Sequence, residues 1–479
     1  MTSVVPTSRY FLLLKPASAG EANAAGVRFL SMPISPARTA AFDILLRVDR
    51  EDAYASELLH SERLETLSRA DHALATEITM GVLRWRSRLD EAIASAAVRL
   101  LDKLDVEVLT ALRMGAYQLH YLSRIPAHAA INESVELVKR AKKRSAAPFV
   151  NAVLRKIAAA QLQPADPTDL TTAGLAREFA HPQWLVERWV AEYGVDRAHA
   201  ICRHDQNVPR TAIRLDDLSL EAELQGEGIE LAPGGLVTGA RIVVAGDITQ
   251  TRAFYEGRLF IQDEASQLVA LLVGTGKRLL DCCAAPGGKT AALAARNPTA
   301  QIVAAELHAH RAELLRKRVR AANVLVIQAD AIALSDQGTF DRVLADVPCS
   351  GTGTLARNPE IKWRLRPDDF ADLHQRQVAI LRAALRQLAP GGRAVYSTCS
   401  LEREECEAVV EEVLRDEPGY RLRDCREELE RLRAAGELAW SDIDSLLSGK
   451  FLRTTPGVHP CDGFFAAVLK GSGYWLVDS

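Results

Sequence analysis

Residues 279–290 read LLDCCAAPGGKT, an apolar strand that runs straight into a Pro-Gly-Gly turn and then into the helix-forming AALAAR. Gly287 and Gly288 let main-chain amides approach a ligand that a Cβ would hold off, and the helix behind them points its N-terminus at it. The stretch therefore predicts a loop for a nucleotide-like cofactor. Gly288, Lys289 and Thr290 match the end of a P-loop, but that pattern needs a further glycine where Cys283 stands. A dinucleotide fingerprint needs two more glycines, and Ala284 and Ala285 sit where that loop would open. A looser class of nucleoside-binding loop remains.

Beyond the turn the chain repeats one logic: an apolar run closed by a polar group. Residues 301–305 close on Glu306, 324–329 on Asp330, 342–345 on Asp346, and 393–397 on Thr398, Cys399 and Ser400. Helical segments at 311–322 and 369–388 lie between them, the second stopped by Gly391 and Gly392. Strands alternating with helices predict a parallel sheet, whose ligands bind outside the carboxyl ends of the strands. Glu306 stands near the spacing at which a carboxylate meets ribose hydroxyls. Cys349 and Cys399 would share that crevice and suggest a nucleophile and a helper. They stand far apart in sequence with no C-x-x-C, so no metal is expected, and His308 and His310 are read as surface residues.

At 479 residues the chain is too long for one ordinary domain and suggests about three. A net charge of -3 means that any nucleic-acid contact must rest on local basic patches, such as Lys139, Arg140, Lys142, Lys143 and Arg144. Eight cysteines without regular spacing favour a reducing compartment, so a cytoplasmic location is expected. No apolar run approaches a membrane span, and residues 11–14 are cut off by Lys15 and Pro16, too short for a signal-peptide core. Residues 1–34 read as a disordered leader, with Met32 an alternative start. Residues 35–160 carry apolar positions at helical spacing, among them Ala41, Ile44, Leu45 and Val48. Residues 161–172 read as a linker. Residues 182–193 form an amphipathic helix whose Trp184 and Trp189 are expected in a core. Short strands and a helix then lead to residue 260, and Asp263 is expected to cap the next helix and nothing more. The charged segment 421–450 has no readable purpose.

DCCAAPGGKT, Glu306, Asp330, the block DVPCSGTGTLARNPEIKW at 346–363 and YSTCS at 396–400 resemble, in order and spacing, the motifs of the S-adenosylmethionine-dependent RNA cytosine-5 methyltransferases. Within them the chain is most similar to the bacterial small-subunit ribosomal RNA branch, the Sun or Fmu type, over about residues 36–470. Residues 35–160, including Pro126, Asn132 and Glu133, resemble the RNA-binding helical domain of the NusB antitermination factor.

The resemblance implies a multidomain chain: an all-α NusB-like domain at 35–160, linker helices and a small α/β RNA-recognition-like insert at 161–260, and an α/β Rossmann-like class I methyltransferase domain at 261–479. It implies S-adenosylmethionine as cofactor. Cys283, Ala284, Ala285, Pro286, Gly287, Gly288 and Lys289 would wrap its methionine end, Glu306 its ribose and Asp330 its adenine, while Asp346 would border both ligands. It implies Cys399 as the nucleophile that adds to carbon 6 of a cytosine, Cys349 as the thiol that assists product release, and Asp346 as partner of the ring edge. Two departures stand out: Glu306 replaces the family's usual Asp, and Val347 its usual Ala. Arg357, Asn358, Lys362 and Trp363 are candidates to hold RNA, although Trp363 could equally be packed. The expected partner is RNA, ribosomal before transfer RNA, with no DNA or membrane and a monomeric chain. A non-catalytic NusB-type RNA-binding factor is the rival, and the intact Cys399 and glycine loop weigh against it.

Overall fold

The structure, a computed structural model, describes residues 34–471 except 62, 63, 65, 99, 161–168 and 335–337. The leader up to residue 33, with Met32, and most of the expected linker lie outside the described residues. Ile34, assigned to the leader, packs on the N-terminal core.

Among the described residues, seven α-helices build the N-terminal part: α1 (Pro36–Glu51), α2 (Ala55–Leu59), α3 (Arg69–Arg84), α4 (Arg86–Ala97), α5 (Val106–Tyr121), α6 (Ala127–Arg140) and α7 (Ala147–Ala159). Ser35 and Ser68 accept hydrogen bonds from the first-turn amides of α1 and α3, which defines where these helices begin. Their apolar stripes, from Ala41, Phe42 and Leu45 to Leu137, Val150 and Leu154, converge in one core.

Three more helices, α8 (Thr172–Glu178), α9 (Gln183–Tyr193) and α10 (Val195–Asp205), form a wedge. Its core contains Trp189, with Trp184 packed against it, as the sequence implies, together with Leu355, Ile361 and Leu401 from the C-terminal domain. A small antiparallel sheet comes next, with β1 (Ala212–Leu215), α11 (Leu220–Gly226), β2 (Glu230–Pro233), β3 (Ala240–Ala245), α12 (Arg252–Tyr255) and β4 (Leu259–Ile261). Its order β2-β3-β1-β4 is that of a β-α-β-β-α-β unit. One face covers α11 and α12. On the other, Arg214 and Phe260 are register partners, and the Arg214 guanidinium lies 4.8 Å from the Phe260 ring centroid. Arg214 Nη1 donates to Gly288 O at 2.7 Å and to Gln262 Oε1 at 2.9 Å. The small sheet is therefore pinned on the glycine loop.

The large C-terminal sheet and its helices run from α13 (Glu264–Val273) through β5 (Arg278–Asp281), α14 (Gly288–Arg296), β6 (Gln301–Glu306), α15 (Ala309–Arg318), β7 (Val324–Gln328), β8 (Phe340–Asp346), α16 (Ile361–Arg364), α17 (Asp369–Arg386), β9 (Leu388–Thr398), α18 (Glu407–Asp416), β10 (Tyr420–Arg423), α19 (Cys425–Ala434), β11 (Leu447–Ser448), β12 (Phe451–Thr454) and β13 (Phe464–Gly471). The strand order is β11-β12-β13-β9-β8-β5-β6-β7, with β10 on β13. β5 to β9 are parallel, and β13 returns antiparallel beside β9. Alternate residues of the same strands feed two cores: Leu279, Leu344, Val395 and Val468 pack toward α13, α14 and α19, while Leu280, Val343, Tyr396 and Leu469 pack toward α17 and α18.

The structure departs from the sequence expectations in its boundaries. The helix expected at 311–322 is α15, shifted to Ala309–Arg318, and β9 begins at Leu388 and runs through Gly391 and Gly392. Segment 421–450 acquires a purpose: β10 pairs with β13, and α19 buries Cys425, Leu429 and Leu432 in the sheet core. Among the described residues no helix is long and apolar enough to cross a membrane.

The crossing of α3 and α5 is set by Gly81, where an added Cβ would lie 1.9 Å from Tyr117 Cζ. That ring cannot simply withdraw, because its hydroxyl donates to Glu77 Oε1 at 2.6 Å and its other side stacks near Tyr121 at 5.1 Å. Gly81→Ala is therefore expected to lower stability by about 1–3 kcal/mol, the usual effect of overpacking, read as a lower denaturant midpoint for the full chain.

Candidate active site

The carboxyl ends of β5 and β8 lie side by side where the strand order reverses, and the two loops leaving them open a crevice there. Gly287 takes the left-handed conformation at φ 111°, which turns the chain from Pro286 into the first turn of α14. A cavity of about 250 Å³ lies against this turn. Cys283, Ala284, Ala285, Pro286, Gly287, Gly288, Lys289 and Asp346 all line it. The opposite wall comes from Gln262, Asp263, Ser266, Arg357, Asp462 and Phe464.

Asp346, the last residue of β8, is held by two neighbours. Lys289 Nζ donates to its Oδ2 at 2.8 Å, and Ser397 Oγ of β9 donates to its Oδ1 at 2.7 Å. Lys289 also lies 4.9 Å from the Phe464 ring centroid. Beneath them is Asp281, a residue inside the DCCAAPGGKT motif to which the sequence assigns no role. It is 1% exposed, Thr290 Oγ1 donates to its Oδ2 at 2.7 Å, and its Oδ1 has no protein partner. Burial pushes its pKa up to about 7, with Asp346 adding to the rise and Thr290 and Lys289 opposing it.

Cys349 and Cys399 come together, with Sγ atoms 3.3 Å apart. The hydrogen bond with Cys349, burial and the negative charge of Asp346 hold the Cys399 thiol well above its ordinary pKa, while Lys289 pulls the other way. The two cysteine loops are tied by the wholly buried Glu405, which accepts from Ser350 N at 2.8 Å, Ser400 Oγ at 2.5 Å, Gln377 Nε2 at 2.8 Å and also Ser350 Oγ. Gly353 N donates to Cys399 O at 2.8 Å, which closes the second link. Nothing in the sequence marks Glu405, because its partners become neighbours only when β8 and β9 pair.

Glu306 and Asp330 lie outside the cavity. Glu306 is buried at the end of β6, accepts from His308 N at 3.0 Å and has Arg311 3.9 Å away. Asp330 is exposed and caps the turn after it through Ile332 N at 3.0 Å. His308 and His310 are both exposed.

Asp263 does more than the expected capping. It accepts from Ala265 N at 2.9 Å, and it also binds Arg357 Nη2 at 3.1 Å, while Arg357 Nε donates to Asp462 Oδ2 at 2.6 Å. Burial first, and Asp263 second, raise the pKa of Asp462 to about 7.

The residues after Cys349 that were expected to hold RNA are used for something else. Arg357 is in that ion-pair array, and Asn358 Oδ1 accepts from Ser56 Oγ at 3.0 Å. Lys362 is 1% exposed and donates to Arg84 O at 3.1 Å, while Trp363 Nε1 donates to Leu83 O at 2.6 Å. Burial lowers the pKa of Lys362 to about 7. Asn358, Lys362 and Trp363 lock the N-terminal helices onto the cysteine loop; of the four residues only Lys362 is buried, while Arg357, Asn358 and Trp363 keep part of their surface exposed. The basic cluster at the end of α6 is also partly neutralised: Lys139 pairs with Glu136, Arg140 with Asp43 and Lys143 with Asp105. Lys142 and Arg144 remain exposed.

The walls of the cavity favour a ligand with positive charge. Four carboxylates, Asp263, Asp281, Asp346 and Asp462, face only Lys289 and Arg357, a balance that disfavours a polyphosphate. The unpartnered Asp281 oxygen at its floor and the glycine turn fit the charged methionine end of a sulfonium nucleoside. Among the described residues no group of three or more His, Cys, Asp or Glu is arranged to hold a metal ion.

A family model described as "16S rRNA methyltransferase RsmB/F" matches residues 269–470, and the NusB family model matches residues 35–159. A Bacillus subtilis protein named "Probable ribosomal RNA small subunit methyltransferase B" is 33% identical over 80% of this chain and 89% of its own length. The ribosomal RNA small subunit methyltransferase B of Vibrio cholerae is 34% identical over 84% of this chain and 89% of its own. The crystal structure of PH0851 matches with a TM-score of 0.75 at 24% identity, covering 92% of this chain and 99% of its own, which shows a shared fold. The chain therefore belongs to the RsmB/F family of S-adenosylmethionine-dependent ribosomal RNA methyltransferases, in the form that carries a NusB-like N-terminal domain.

Proposed function

We propose that this protein methylates carbon 5 of a cytosine in 16S ribosomal RNA, with Cys399 as the transient nucleophile and Cys349 as the thiol that assists release. The observation that carries the reading is the 3.3 Å contact between these two sulfurs, beside the carboxylate of Asp346. Carbon 5 of cytosine is a poor nucleophile, so a thiolate must first add to carbon 6 and drive electron density onto carbon 5.

Bound at the glycine loop, S-adenosylmethionine supplies an electrophilic methyl group. Residues 283–289, with Asp281 and Asp346, would hold its methionine end; Glu306 and Asp330 would serve its ribose and adenine. Cys399 attacks as its thiolate, its proton passing to solvent. Lys289 favours the thiolate, because a cation nearby stabilises the charged form. Asp346, fixed by Lys289 and Ser397, would accept from the amino edge of the ring and so orient it for addition. After methyl transfer the proton on carbon 5 passes to a base, the C–H electron pair re-forms the carbon 5–carbon 6 double bond, and Cys399 departs from carbon 6 as its thiolate. The nearness of Cys349 suits it to that last stage.

Cys399→Ala is expected to abolish methylation while leaving RNA binding intact. Cys349→Ala is expected to trap a covalent protein–RNA species that survives a denaturing gel. The trapped species in the Cys399 variant instead would reverse the two roles, and bisulfite mapping of cellular RNA from a deletion strain tests the ribosomal target.

A second expectation concerns pH. Asp281 is protonated below about pH 7 in the free protein, and a positively charged ligand prefers it ionised. S-adenosylmethionine binding should therefore tighten as pH rises through 7, and calorimetry should find that Asp281→Asn weakens this dependence, the remainder coming from Asp462, whose pKa is also raised to about 7 in the same cavity.

A further inference from the structure

The short segment that leads into α2 belongs to the NusB-like domain but sits on the catalytic domain. Arg364 Nη1 donates to Asp52 O at 2.7 Å, and its Nη2 donates to Val48 O at 3.3 Å and to Ala53 O. Two residues on, Ala55 N donates to Glu360 Oε1 at 2.8 Å, and Ser56 Oγ to Asn358 Oδ1. The residue between these anchored positions is Tyr54. Its backbone is held from both sides by the loop after Cys349, yet its side chain stays out: Tyr54 is 43% exposed. The Arg364 guanidinium covers the ring at 5.6 Å from its centroid.

Tyr54 also stands within electrostatic reach of the reacting thiols. Its phenol pKa is raised first by burial, and negative charge on Cys349, Glu360 and Cys399 contributes while Arg364 opposes. An aromatic ring with a cation on it thus stands exposed on a segment that is hydrogen-bonded to the loop following Cys349. Addition of a thiol to a cytosine creates a need for such a ring. To reach the sulfur, the cytosine must leave its stack, and its neighbour in the strand then loses a stacking partner. Proteins that read unstacked RNA meet such bases with aromatic side chains and arginine planes.

We propose that Tyr54, supplied by the NusB-like domain and backed by Arg364, is a stacking platform for an unpaired RNA base next to the target cytosine. The NusB-like domain thereby contributes a substrate-binding residue to the mouth of the catalytic site. This inference rests on an RNA cytosine being the substrate.

The test uses the full-length chain and a single-stranded RNA that contains the mapped cytosine, with 2-aminopurine placed beside it. Wild type, Tyr54→Phe and Tyr54→Trp should quench the 2-aminopurine on binding. Tyr54→Ala should leave it bright and bind the RNA roughly five- to hundredfold more weakly, with an unchanged melting temperature and a raised KM for RNA. Wild-type quenching and KM in Tyr54→Ala would overturn the proposal. So would a defect in Tyr54→Phe as large as that in Tyr54→Ala, since the ring face would then not be what matters. A wild-type protein that methylates no RNA cytosine would instead defeat the functional reading itself.

Discussion

The pairing of β8 with β9 is the constraint on which the site depends. The two strands run parallel with Asp346 opposite Ser397, so the loops that leave them emerge side by side at one edge of the sheet. That register alone brings Cys349 and Cys399 within contact of each other. Glu405 then staples the two loops from below, through Ser350 and Ser400, where water cannot compete for the bonds. A slip of one residue would turn alternate side chains to the other face and separate the sulfurs.

Around this centre the protein concentrates charge that it does not fully neutralise. Asp281 and Asp462 are both buried and both pushed up to about 7, one below the glycine turn and one across the cavity from it. Asp462 is paired with Arg357, whereas Asp281 has only the Thr290 hydroxyl, and a buried carboxylate without a cationic partner is costly in an isolated protein. Such a cost is understandable where a cationic ligand completes the arrangement, and the cavity stands where these carboxylates meet Lys289 and Arg357.

The N-terminal domain is more than an appended RNA-binding module. Arg84, Leu83, Ala55 and Ser56 are joined to residues 356–364 by direct hydrogen bonds. The wedge of α8 to α10 fills the angle between the domains, with Trp189 Nε1 donating to Glu402 Oε1 at 3.0 Å, close behind Ser400. The small sheet closes the other side by placing Arg214 on Gly288 O. All three accessory parts thus touch loops of the active site, which gives the domains a common geometric reference.

Much of the protein is legible in one dimension: the alternation of strands and helices, the glycine turn, the polar residues at strand ends and the helical periodicity of the N-terminal part. These are local properties. A left-handed turn needs Gly287, and a buried parallel strand needs an apolar run whatever lies elsewhere. Both thiols are legible too, since a Thr-Cys and a Pro-Cys at strand ends are visible along the chain. The surroundings of Asp281, Glu405, Tyr54 and residues 357–363 were decided only by folding. Asp281 looked like part of a strand because burial is a property of everything packed around it, and Glu405 looked like one more acidic residue in a charged run. That Lys362 and Trp363 bond the backbone of Arg84 and Leu83, remote in sequence, could not be read along the chain. Charge and aromaticity can be read along a chain, but which surface they face is set by contacts between segments that the chain itself keeps far apart.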